Sequence, residues 1–222
     1  AITVQSPLIP RAEIEKAAGY MSGKGIKHII LRLDPLKEKR ISENSPMRCY
    51  HCKKFIFENI IDAAAGEGVE HILDGTHYDD TGEHRPGLRA LSELGITSPL
   101  KTSGFKKDNI RELARSFNLA NWDSPPYPCL ATRIPHWTPI LESELARIEK
   151  AESCISSLGF SHVRVRVHGD IARIEIPRDR IEDFAAEKVR EDISRQLKSL
   201  GFKFITLDLD GYRTGSMDIT GS

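Results

Sequence analysis

The sequence predicts an α/β fold followed by a small α+β unit, and two observations carry this prediction. Short β-branched runs alternate with helical patterns through the first half of the chain, which is typical of parallel strands joined by crossover helices. After a proline-rich stretch at residues 124–129 the pattern changes to a helix, a hairpin, a second helix and a last strand. We therefore place a domain boundary near residue 137, with domains at 1–136 and 137–222.

In the first half, predicted strands and helices alternate. Strands are predicted from β-branched composition at Ile2–Val4, His28–Leu33 and His71–Asp74. Helices are predicted at Arg11–Met21, at Lys53–Ala65 and where Ile110, Leu113, Ala114 and Phe117 form an apolar stripe. A doubly wound nucleotide domain usually opens on a strand and a glycine-rich phosphate-binding turn, and the sequence contains no such turn. We therefore expect the parallel sheet to lack its first strand.

The second half begins with a helix and an antiparallel hairpin. Thr138-Pro139 can cap and start a helix that ends near Gly159. The residues on both sides of Gly169-Asp170 alternate strictly, which is typical of a hairpin with a two-residue turn. The apolar face then pairs Val163/Ile176, Val165/Ile174 and Val167/Ala172, and the other face pairs Arg164/Glu175, Arg166/Arg173 and His168/Ile171. A helix at about Arg180–Leu200 and a strand at Lys203–Leu209 complete the unit.

Composition and charge narrow the class of protein. The 222 residues are 39% hydrophobic, enough for a packed core, and contain 32 Lys+Arg against 32 Asp+Glu. A neutral chain has no overall field to attract nucleic acid or an anionic membrane, so we expect neither partner. No apolar run approaches the roughly 20 residues of a membrane span, and the N-terminus does not resemble a signal peptide. Since four cysteines are also too few for a secreted disulfide scaffold, we expect a cytoplasmic protein.

Three cysteines form the most distinctive chemical pattern. Cys49 and Cys52 form a Cys-x-x-Cys pair before a predicted helix, and Cys129 lies in the proline-rich segment between the domains. Three thiolates would leave one position of a tetrahedral metal or a cubane cluster open, as a catalytic site requires. Spacing alone supports equally a structural zinc site at the pair, with His51 or another ligand, and a Cys129 that is simply a buried small residue. Cys154 lies close to an apolar helical stripe and is expected in the core.

An acidic, glycine-containing loop follows the third predicted strand. Asp74-Gly75-Thr76 falls at the carboxyl end of the sheet, where doubly wound folds bind ligands. Downstream side chains could hold magnesium on a nucleotide phosphate or contact that phosphate, and these are Asp79, Asp80, Glu83 and Arg85. Loops of this composition are more often plain solvated turns. Composition therefore leaves both interpretations open.

The polar face of the predicted hairpin is basic. Arg166 and Arg173 lie opposite each other, with Arg164 and His168 on the same face. Opposed arginines repel unless an anion lies between them, and a phosphate would satisfy them. The alternative is a solvated strand with an Arg164–Glu175 ion pair. The pattern favours neither.

Several motifs in a fixed order resemble one known family. They are Asn44–Lys53 (NSPMRCYHCK), Leu73–Thr76 (LDGT), Arg85–Ala90 (RPGLRA), Cys129–Pro135 (CLATRIP), Val163–Arg166 (VRVR) and Gly169–Glu175 (GDIARIE). Together they resemble the LarE family, the ATP-dependent sulfur transferases that build the nickel-pincer nucleotide cofactor of lactate racemase. The resemblance extends over nearly the whole chain, from Ile2 to about Gly215.

The resemblance implies an adenine-nucleotide-hydrolase-like domain of the pyrophosphatase-loop type and a small C-terminal domain for substrate and sulfur transfer. In such enzymes ATP with Mg²⁺ adenylylates a carboxylate of pyridinium-3,5-biscarboxylic acid mononucleotide, and sulfur then displaces AMP to give a thiocarboxylate. Members with one cysteine sacrifice the residue that matches Cys129. Members with three resemble holders of a [4Fe–4S] cluster that carries an extra sulfide, with zinc as the alternative metal. We expect a small-molecule nucleotide substrate and a homo-oligomer.

The resemblance also implies roles for individual residues. Cys129 matches the sulfur donor, and Cys49, Cys52 and Cys129 match cluster ligands. The other implied catalytic residues are Arg133, Glu175 and Asp183, and the implied substrate-binding residues are Thr132, Arg133, Arg164 and Arg166. The nucleotide site is expected at the acidic loop, with Asp74, Gly75, Thr76, Asp79, Asp80 and Arg85.

The sequence departs from the family pattern at the phosphate-binding turn, which it does not contain. The family's Ser-Gly-Gly-x-Asp-Ser turn, whose backbone amides bind pyrophosphate, would precede Ala1. The sequence is a fragment, or a separate polypeptide supplies the turn, or this copy has lost ATP chemistry, and we favour a fragment. Two other functions are considered: a transfer-RNA sulfur-inserting enzyme of the same superfamily, and a non-catalytic iron–sulfur or zinc module that binds an anion.

Overall fold

The protein is built of helices and short strands, and its structure, a computed structural model, describes residues 1–82, 86–123 and 127–213. The predicted α/β class is confirmed. The strands are β1 (Ile2–Gln5), β2 (Ile29–Arg32), β3 (Arg164–His168), β4 (Ile171–Glu175) and β5 (Phe204–Leu207). The helices are α1 (Arg11–Gly23), α2 (Lys39–Ser42), α3 (Arg48–Gly66), α4 (Pro86–Glu93), α5 (Pro99–Thr102), α6 (Lys107–Ser116), α7 (Glu142–Ser157), α8 (Ile181–Ala185) and α9 (Glu187–Ser199).

The first sheet is a parallel pair of strands. β1 and β2 are joined by α1 and pair from Ile2↔Ile29 onwards, as predicted for a crossover unit. The third predicted strand, His71–Asp74, is not a strand in the structure, where Leu73 makes a single parallel bridge to Thr97. A strand is defined by a ladder of hydrogen bonds, and the described residues supply only this short contact. Leu73 is accordingly 62% exposed.

The second sheet has the order β3-β4-β5. β3 and β4 are antiparallel with the predicted register, including Arg166↔Arg173 and Val165↔Ile174, and β5 lies parallel to β4. Gly169 has φ +61°, which suits the tight turn that joins β3 to β4. Because the apolar face of this hairpin packs into the hydrophobic core, the alternation of apolar residues determines its register.

Three helices differ from their predicted limits. α3 begins at Arg48, so Cys49 and Cys52 lie inside its first turns and not ahead of it. α7 begins at Glu142, after Thr138-Pro139. The single helix expected near Arg180–Leu200 is divided into α8 and α9, because Ala186 has an extended backbone with ψ 139°. None of the helices in the described ranges combines the length and the hydrophobicity that a membrane crossing needs.

One apolar core connects the second sheet to the segment that contains Cys129. Leu130 and Ala131 are buried in the same cluster as the inner face of β3 and β4 and the apolar stripe of α7. Leu8 and Ile41, from early in the chain, belong to that cluster too. Residues from both sides of position 137 therefore pack together, and the division into two domains there stays a prediction.

Candidate functional site

A cleft of about 1780 Å³ lies between the first sheet, α3 and the segment around Cys129. Its apolar wall includes Ile2, Ile29, Phe57 and Ile60. Many of the predicted site residues line it, namely Cys49, Asp74, Gly75, Thr76, Asp80, Cys129, Thr132 and Arg166. The structure thus brings the acidic loop, two of the three cysteines and one hairpin arginine to a single opening.

Arg133 fixes the backbone that carries Cys129. Its side chain is fully buried, and it closes the short 3-10 turn Leu130–Arg133. Nη1 of Arg133 donates hydrogen bonds to the carbonyl oxygens of Pro128 at 2.9 Å and Cys129 at 3.1 Å, and to Oγ1 of Thr132 at 2.9 Å. The planar guanidinium therefore acts as a template around which the turn is wrapped.

Glu152 is a buried partner that the sequence analysis missed. Its carboxylate accepts hydrogen bonds from Nε and Nη2 of Arg133, at 2.9 and 3.0 Å, and from the backbone amide of Val165 at 2.9 Å. It ties α7, β3 and the Cys129 turn together. A signal was present in the sequence: Glu152 falls on the apolar stripe formed by Leu145 and Ile148, where a carboxylate must be paired to be tolerated.

Two further arginines reach the same turn from other sides. Nη1 of Arg48, at the start of α3, lies 3.3 Å from the carbonyl oxygen of Ala131, and Nη2 lies 3.8 Å from Sγ of Cys49. Nη1 of Arg166 donates to the carbonyl oxygen of Thr132 at 2.8 Å. The turn after Cys129 is thus contacted by guanidinium groups that are all nearly inaccessible to solvent.

The thiols lie in a desolvated environment and affect one another. Burial raises the pKa of Cys52 to about 12, with contributions from Cys129 and Cys49 and an opposing effect of Arg48. Burial also raises the pKa of Cys129, against the effect of Arg48 and a hydrogen bond from the backbone of Ala131. Without a further positive partner, both thiols are protonated at neutral pH.

Three thiols are the right donor type for zinc or an iron–sulfur cluster. Within the described parts of the chain, however, no three His, Cys, Asp or Glu side chains are arranged to bind a metal ion as they stand. Cys49 and Cys129 line the cleft, and Cys52 packs against the apolar core. The residue types therefore fit a thiolate-bound group, and the side-chain positions do not yet form its ligand shell.

A carboxylate lies between the opposed arginines of the hairpin. Glu175 is fully buried, and its Oε2 accepts hydrogen bonds from Nε and Nη2 of Arg166 at 3.1 and 2.9 Å. Its Oε1 accepts from Nη2 of Arg173 at 3.1 Å. The guanidinium of Arg164 lies 4.9 Å from the ring centre of Tyr127 and 5.4 Å from that of Tyr212. Glu175 therefore supplies the anion that this face requires.

The acidic loop uses its carboxylates for internal hydrogen bonds. Asp74 accepts from Oγ of Ser98 at 2.5 Å and from Oγ1 of Thr76. Asp79 accepts from the backbone amide of Lys107 at 2.8 Å, at the start of α6, and Asp80 accepts from the amide of His77 at 3.0 Å. Asp79 is not part of the cleft lining, whereas Asp74 and Asp80 are. The predicted Arg85, like Glu83, lies outside the described residues.

Asp183 lies apart from the other predicted site residues. It is on α8, its side chain is 64% exposed, and its Oδ2 pairs with Nε of Arg180 at 2.9 Å. It does not contribute to the cleft lining. The structure therefore brings Arg133 and Glu175 next to the Cys129 turn and leaves Asp183 on the surface.

Fold and site together define an α/β protein in which buried arginines present a cysteine-bearing turn to a large cleft. No family model matches the sequence. The chain is 39% identical over 220 residues to the pyridinium-3,5-bisthiocarboxylic acid mononucleotide synthase of Lactiplantibacillus plantarum. The aligned region covers 99% of this chain and 79% of that protein. The chain belongs to the family of that synthase, the LarE family.

Two uncharacterized proteins are also similar. One, from Synechocystis sp., is 32% identical over 218 residues, covering 98% of this chain and 81% of that protein. The other, from Methanocaldococcus jannaschii, is 36% identical over 185 residues, covering 83% of this chain and 71% of that protein. In each of these relatives the similarity extends across both halves of the chain.

Proposed function

We propose that this protein is a sulfurtransferase that converts carboxylates of pyridinium-3,5-biscarboxylic acid mononucleotide to thiocarboxylates with ATP and Mg²⁺. The name of its relative from L. plantarum describes a synthase of the bisthiocarboxylic product. The observation that carries the proposal is that Cys129 opens on the cleft beside Thr132 and Arg166. A small nucleotide can enter a space of this size.

The chemistry requires a sulfur nucleophile and stabilisation of negative charge. ATP would activate a substrate carboxylate as an acyl adenylate with release of pyrophosphate. Sulfur would then form a bond to the acyl carbon while the bond to AMP breaks. Charge develops on the acyl oxygen and on the departing phosphate, and fixed guanidinium groups in a water-poor cleft stabilise such charge.

The hairpin and the Cys129 turn would divide this work between them. We assign substrate contact to Thr132, Arg164 and Arg166, with Glu175 orienting Arg166 through the two hydrogen bonds at its Oε2. Arg133 would keep the turn in shape. Asp183 would contribute only if α8 approaches the substrate.

We further propose that Cys49, Cys52 and Cys129 hold a [4Fe–4S] cluster, with zinc as the alternative. When bound, such a cluster supplies a sulfide for transfer, so that Cys129 keeps its own sulfur. Protein purified without oxygen should contain iron and acid-labile sulfide and lose both on Cys129→Ala. A colourless protein with tightly bound zinc would contradict the cluster.

The ATP site is proposed at the first sheet, with residues 1–136 forming an adenine-nucleotide-hydrolase-like domain and 137–222 the domain for substrate and sulfur transfer. Within the described residues, β1 is hydrogen-bonded to a strand on one side only, and Leu73 makes a single bridge. Apolar side chains of Ile2 and Ile72 face the space between them. A further parallel strand with a phosphate-binding turn would fit there and direct a nucleotide towards Asp74.

Mass spectrometry of both substrate and protein tests the proposed reaction. The substrate should exchange oxygen for sulfur only when ATP and Mg²⁺ are present. If Cys129 is sacrificed, the protein should lose the mass of hydrogen sulfide, and if a cluster supplies the sulfur, the protein mass should not change. Cys129→Ala should abolish transfer, whereas Cys154→Ser, which changes a residue outside the cleft lining, should not. Transfer that persists in Cys129→Ala would refute the role of this cysteine.

A further inference from the structure

Asn44 is a fully buried polar residue at the junction of two chain segments. Its φ of +59° lies in the left-handed region, which asparagine tolerates better than most residues. Its Nδ2 donates hydrogen bonds to the carbonyl oxygens of Pro135 at 2.8 Å and Thr138 at 3.1 Å. Its own carbonyl oxygen accepts from the amide of Trp137 at 3.0 Å. The segment that follows the Cys129 turn is therefore attached to the loop that precedes α3.

Arg48 extends this connection to the thiols. Oδ1 of Asn44 accepts a hydrogen bond from Nη1 of Arg48, which is 5% exposed. The same guanidinium contacts the carbonyl oxygen of Ala131 and Sγ of Cys49. A single side chain thus links the amide of Asn44, the turn after Cys129 and the first thiol of α3.

The two residue types suit this task chemically. An asparagine amide donates from one atom and accepts at the other, so it can face carbonyl oxygens and a guanidinium at once. An aspartate would direct a carboxylate at the carbonyl oxygens, which repel it. The rigid fork of arginine reaches several acceptors in one plane, which the ammonium of a lysine cannot do.

We propose that Asn44 and Arg48 form a positioning pair that sets the thiol of Cys129 against the thiol of Cys49. The two thiols belong to segments that are distant in sequence, and both line the same cleft. The idea rests on the proposed function only in treating these thiols as the reactive groups. Without the pair, α3 and the Cys129 turn lose the hydrogen bonds that connect them through Arg48.

The rate at which a two-armed reagent bridges Cys49 and Cys129 reports how the two thiols are placed relative to each other. In a Cys52→Ser/Cys154→Ser background, Cys49 and Cys129 are the remaining cysteines. Dibromobimane becomes fluorescent only after both of its arms react with thiols, so its fluorescence reports how readily the pair is spanned in reduced, metal-free protein. Asn44→Gly keeps the left-handed backbone and removes the amide. We expect Asn44→Gly and Arg48→Met each to slow bridging about tenfold, as small misplacements of reacting groups do.

Controls separate position from folding. Arg195→Met removes an exposed arginine of α9 and should leave bridging unchanged. Alkylation by iodoacetamide, which needs one thiol only, should remain within about twofold of the parent in Asn44→Gly and Arg48→Lys, which keep the positive charge beside the thiols. Arg48→Met removes a charge that lowers the pKa of Cys129, so its bridging rate is compared with its own alkylation rate. If Asn44→Gly does not fold, Arg48→Lys provides the test, because it keeps the positive charge and loses the fork.

The outcomes distinguish this proposal from the proposed function. Bridging that is unchanged in folded Asn44→Gly or Arg48→Lys overturns the positioning role, even if the variants melt at a lower temperature. The assay contains neither ATP nor substrate. Slowed bridging in the variants, together with absence of sulfur transfer by the parent, would support the positioning role and refute the function alone.

Discussion

Arg133 and Glu152 form a two-point ion pair in the interior, with Nε–Oε1 at 2.9 Å and Nη2–Oε2 at 3.0 Å, and neither side chain is more than 2% exposed. The pair connects the turn that carries Cys129 to α7. Both charges are compensated, and Nη1 of Arg133 donates to backbone oxygens of the turn. Arg133 is therefore first a structural residue, whatever else it contributes to the reaction.

Removing one member of this pair should destabilise the protein strongly. Glu152→Ala leaves a buried guanidinium without its counter-charge, for which we expect a loss of about 3–5 kcal/mol in the free energy of unfolding. The double variant Arg133→Met/Glu152→Leu should lose less than the sum of the single variants, because no charge is left unpaired. Urea unfolding provides the measurement. A cost for Glu152→Ala below about 1 kcal/mol, typical of an exposed pair, would refute the burial argument.

Glu175 should be replaceable, in part, by an added anion. Glu175→Ala removes the carboxylate that Arg166 and Arg173 share across β3 and β4, and it leaves space between the two guanidinium groups. Arg173 keeps a more distant acidic partner, Asp208, whose Oδ2 lies 3.8 Å from its Nε. We expect a loss of at least about 1.5–3 kcal/mol, the range for hydrogen bonds to charged groups. Sulfate should then restore more of the melting temperature than sodium chloride at equal ionic strength, because it can bridge both arginines.

A matched change tests whether this rescue is specific. Glu191→Ala removes a carboxylate from an exposed position of α9 and should show no preference for sulfate. The parent protein, in which Glu175 already occupies the position, should respond as the control does. Equal effects of sulfate and chloride on Glu175→Ala would show that the opposed arginines do not form an anion site.

His168 should titrate below the usual range of histidine. Burial, and after it Arg173, lower its pKa from 6.5, while Glu175 opposes them and Arg166 adds a smaller effect. Because the folded-state pKa is the lower one, protonation favours the unfolded chain. Relative to His168→Gln, the free energy of unfolding should be constant well above pH 6.5 and should fall as the pH drops through that value towards the folded-state pKa.

The titration of His168 can be followed by NMR of its imidazole. Arg173→Gln removes the positive charge that lowers the pKa of His168 most, so this pKa should rise towards 6.5. Arg195→Gln, on a different element, should leave it where it is in the parent. A pKa of His168 at or above that of a free histidine in the parent would contradict the electrostatic description of the hairpin.

The sequence predicted the hairpin in detail and the first sheet only in part. When apolar residues alternate with polar ones, only one pairing register places all of the apolar residues on the core face. Gly169 fixes the position of the turn, so pairs such as Val165/Ile174 could be predicted directly. The segment His71–Asp74 was predicted as a strand although it has only one β-branched residue, Ile72. A strand also needs a partner along its edge, which composition does not report. The single bridge that this segment makes at Leu73 shows that dependence.

The sequence predicted on which face of the hairpin each charged residue lies, but not which residue it pairs with. The register places Arg164 opposite Glu175, whereas the carboxylate bonds to Arg166 and Arg173, a choice made by side-chain reach along and across the strands. The apolar stripe of α7 indicates that Glu152 is paired, but no local pattern reveals which distant segments Glu152 and Asn44 contact. The convergence of Cys49 and Cys129 on one cleft was expected from the family motifs, and spacing alone had left it undecided.

A side chain at position 211 should destabilise the protein and disturb the contact between Tyr212 and Arg164. Gly211 has φ +71°, and a Cβ there would lie 2.8 Å from the carbonyl oxygen of Ile176, the atom that accepts the amide of Tyr212. Gly211→Ala should therefore break that hydrogen bond and move the Tyr212 ring away from Arg164.

Gly169→Ala is the matched control, because Gly169 has φ +61° but open space around the added atom. Both variants carry left-handed strain of about 1–2 kcal/mol, and Gly211→Ala should cost at least about 1 kcal/mol more from overpacking, measured by urea unfolding. If the two costs are equal, backbone strain alone accounts for Gly211, and the contact between Tyr212 and Arg164 does not depend on it.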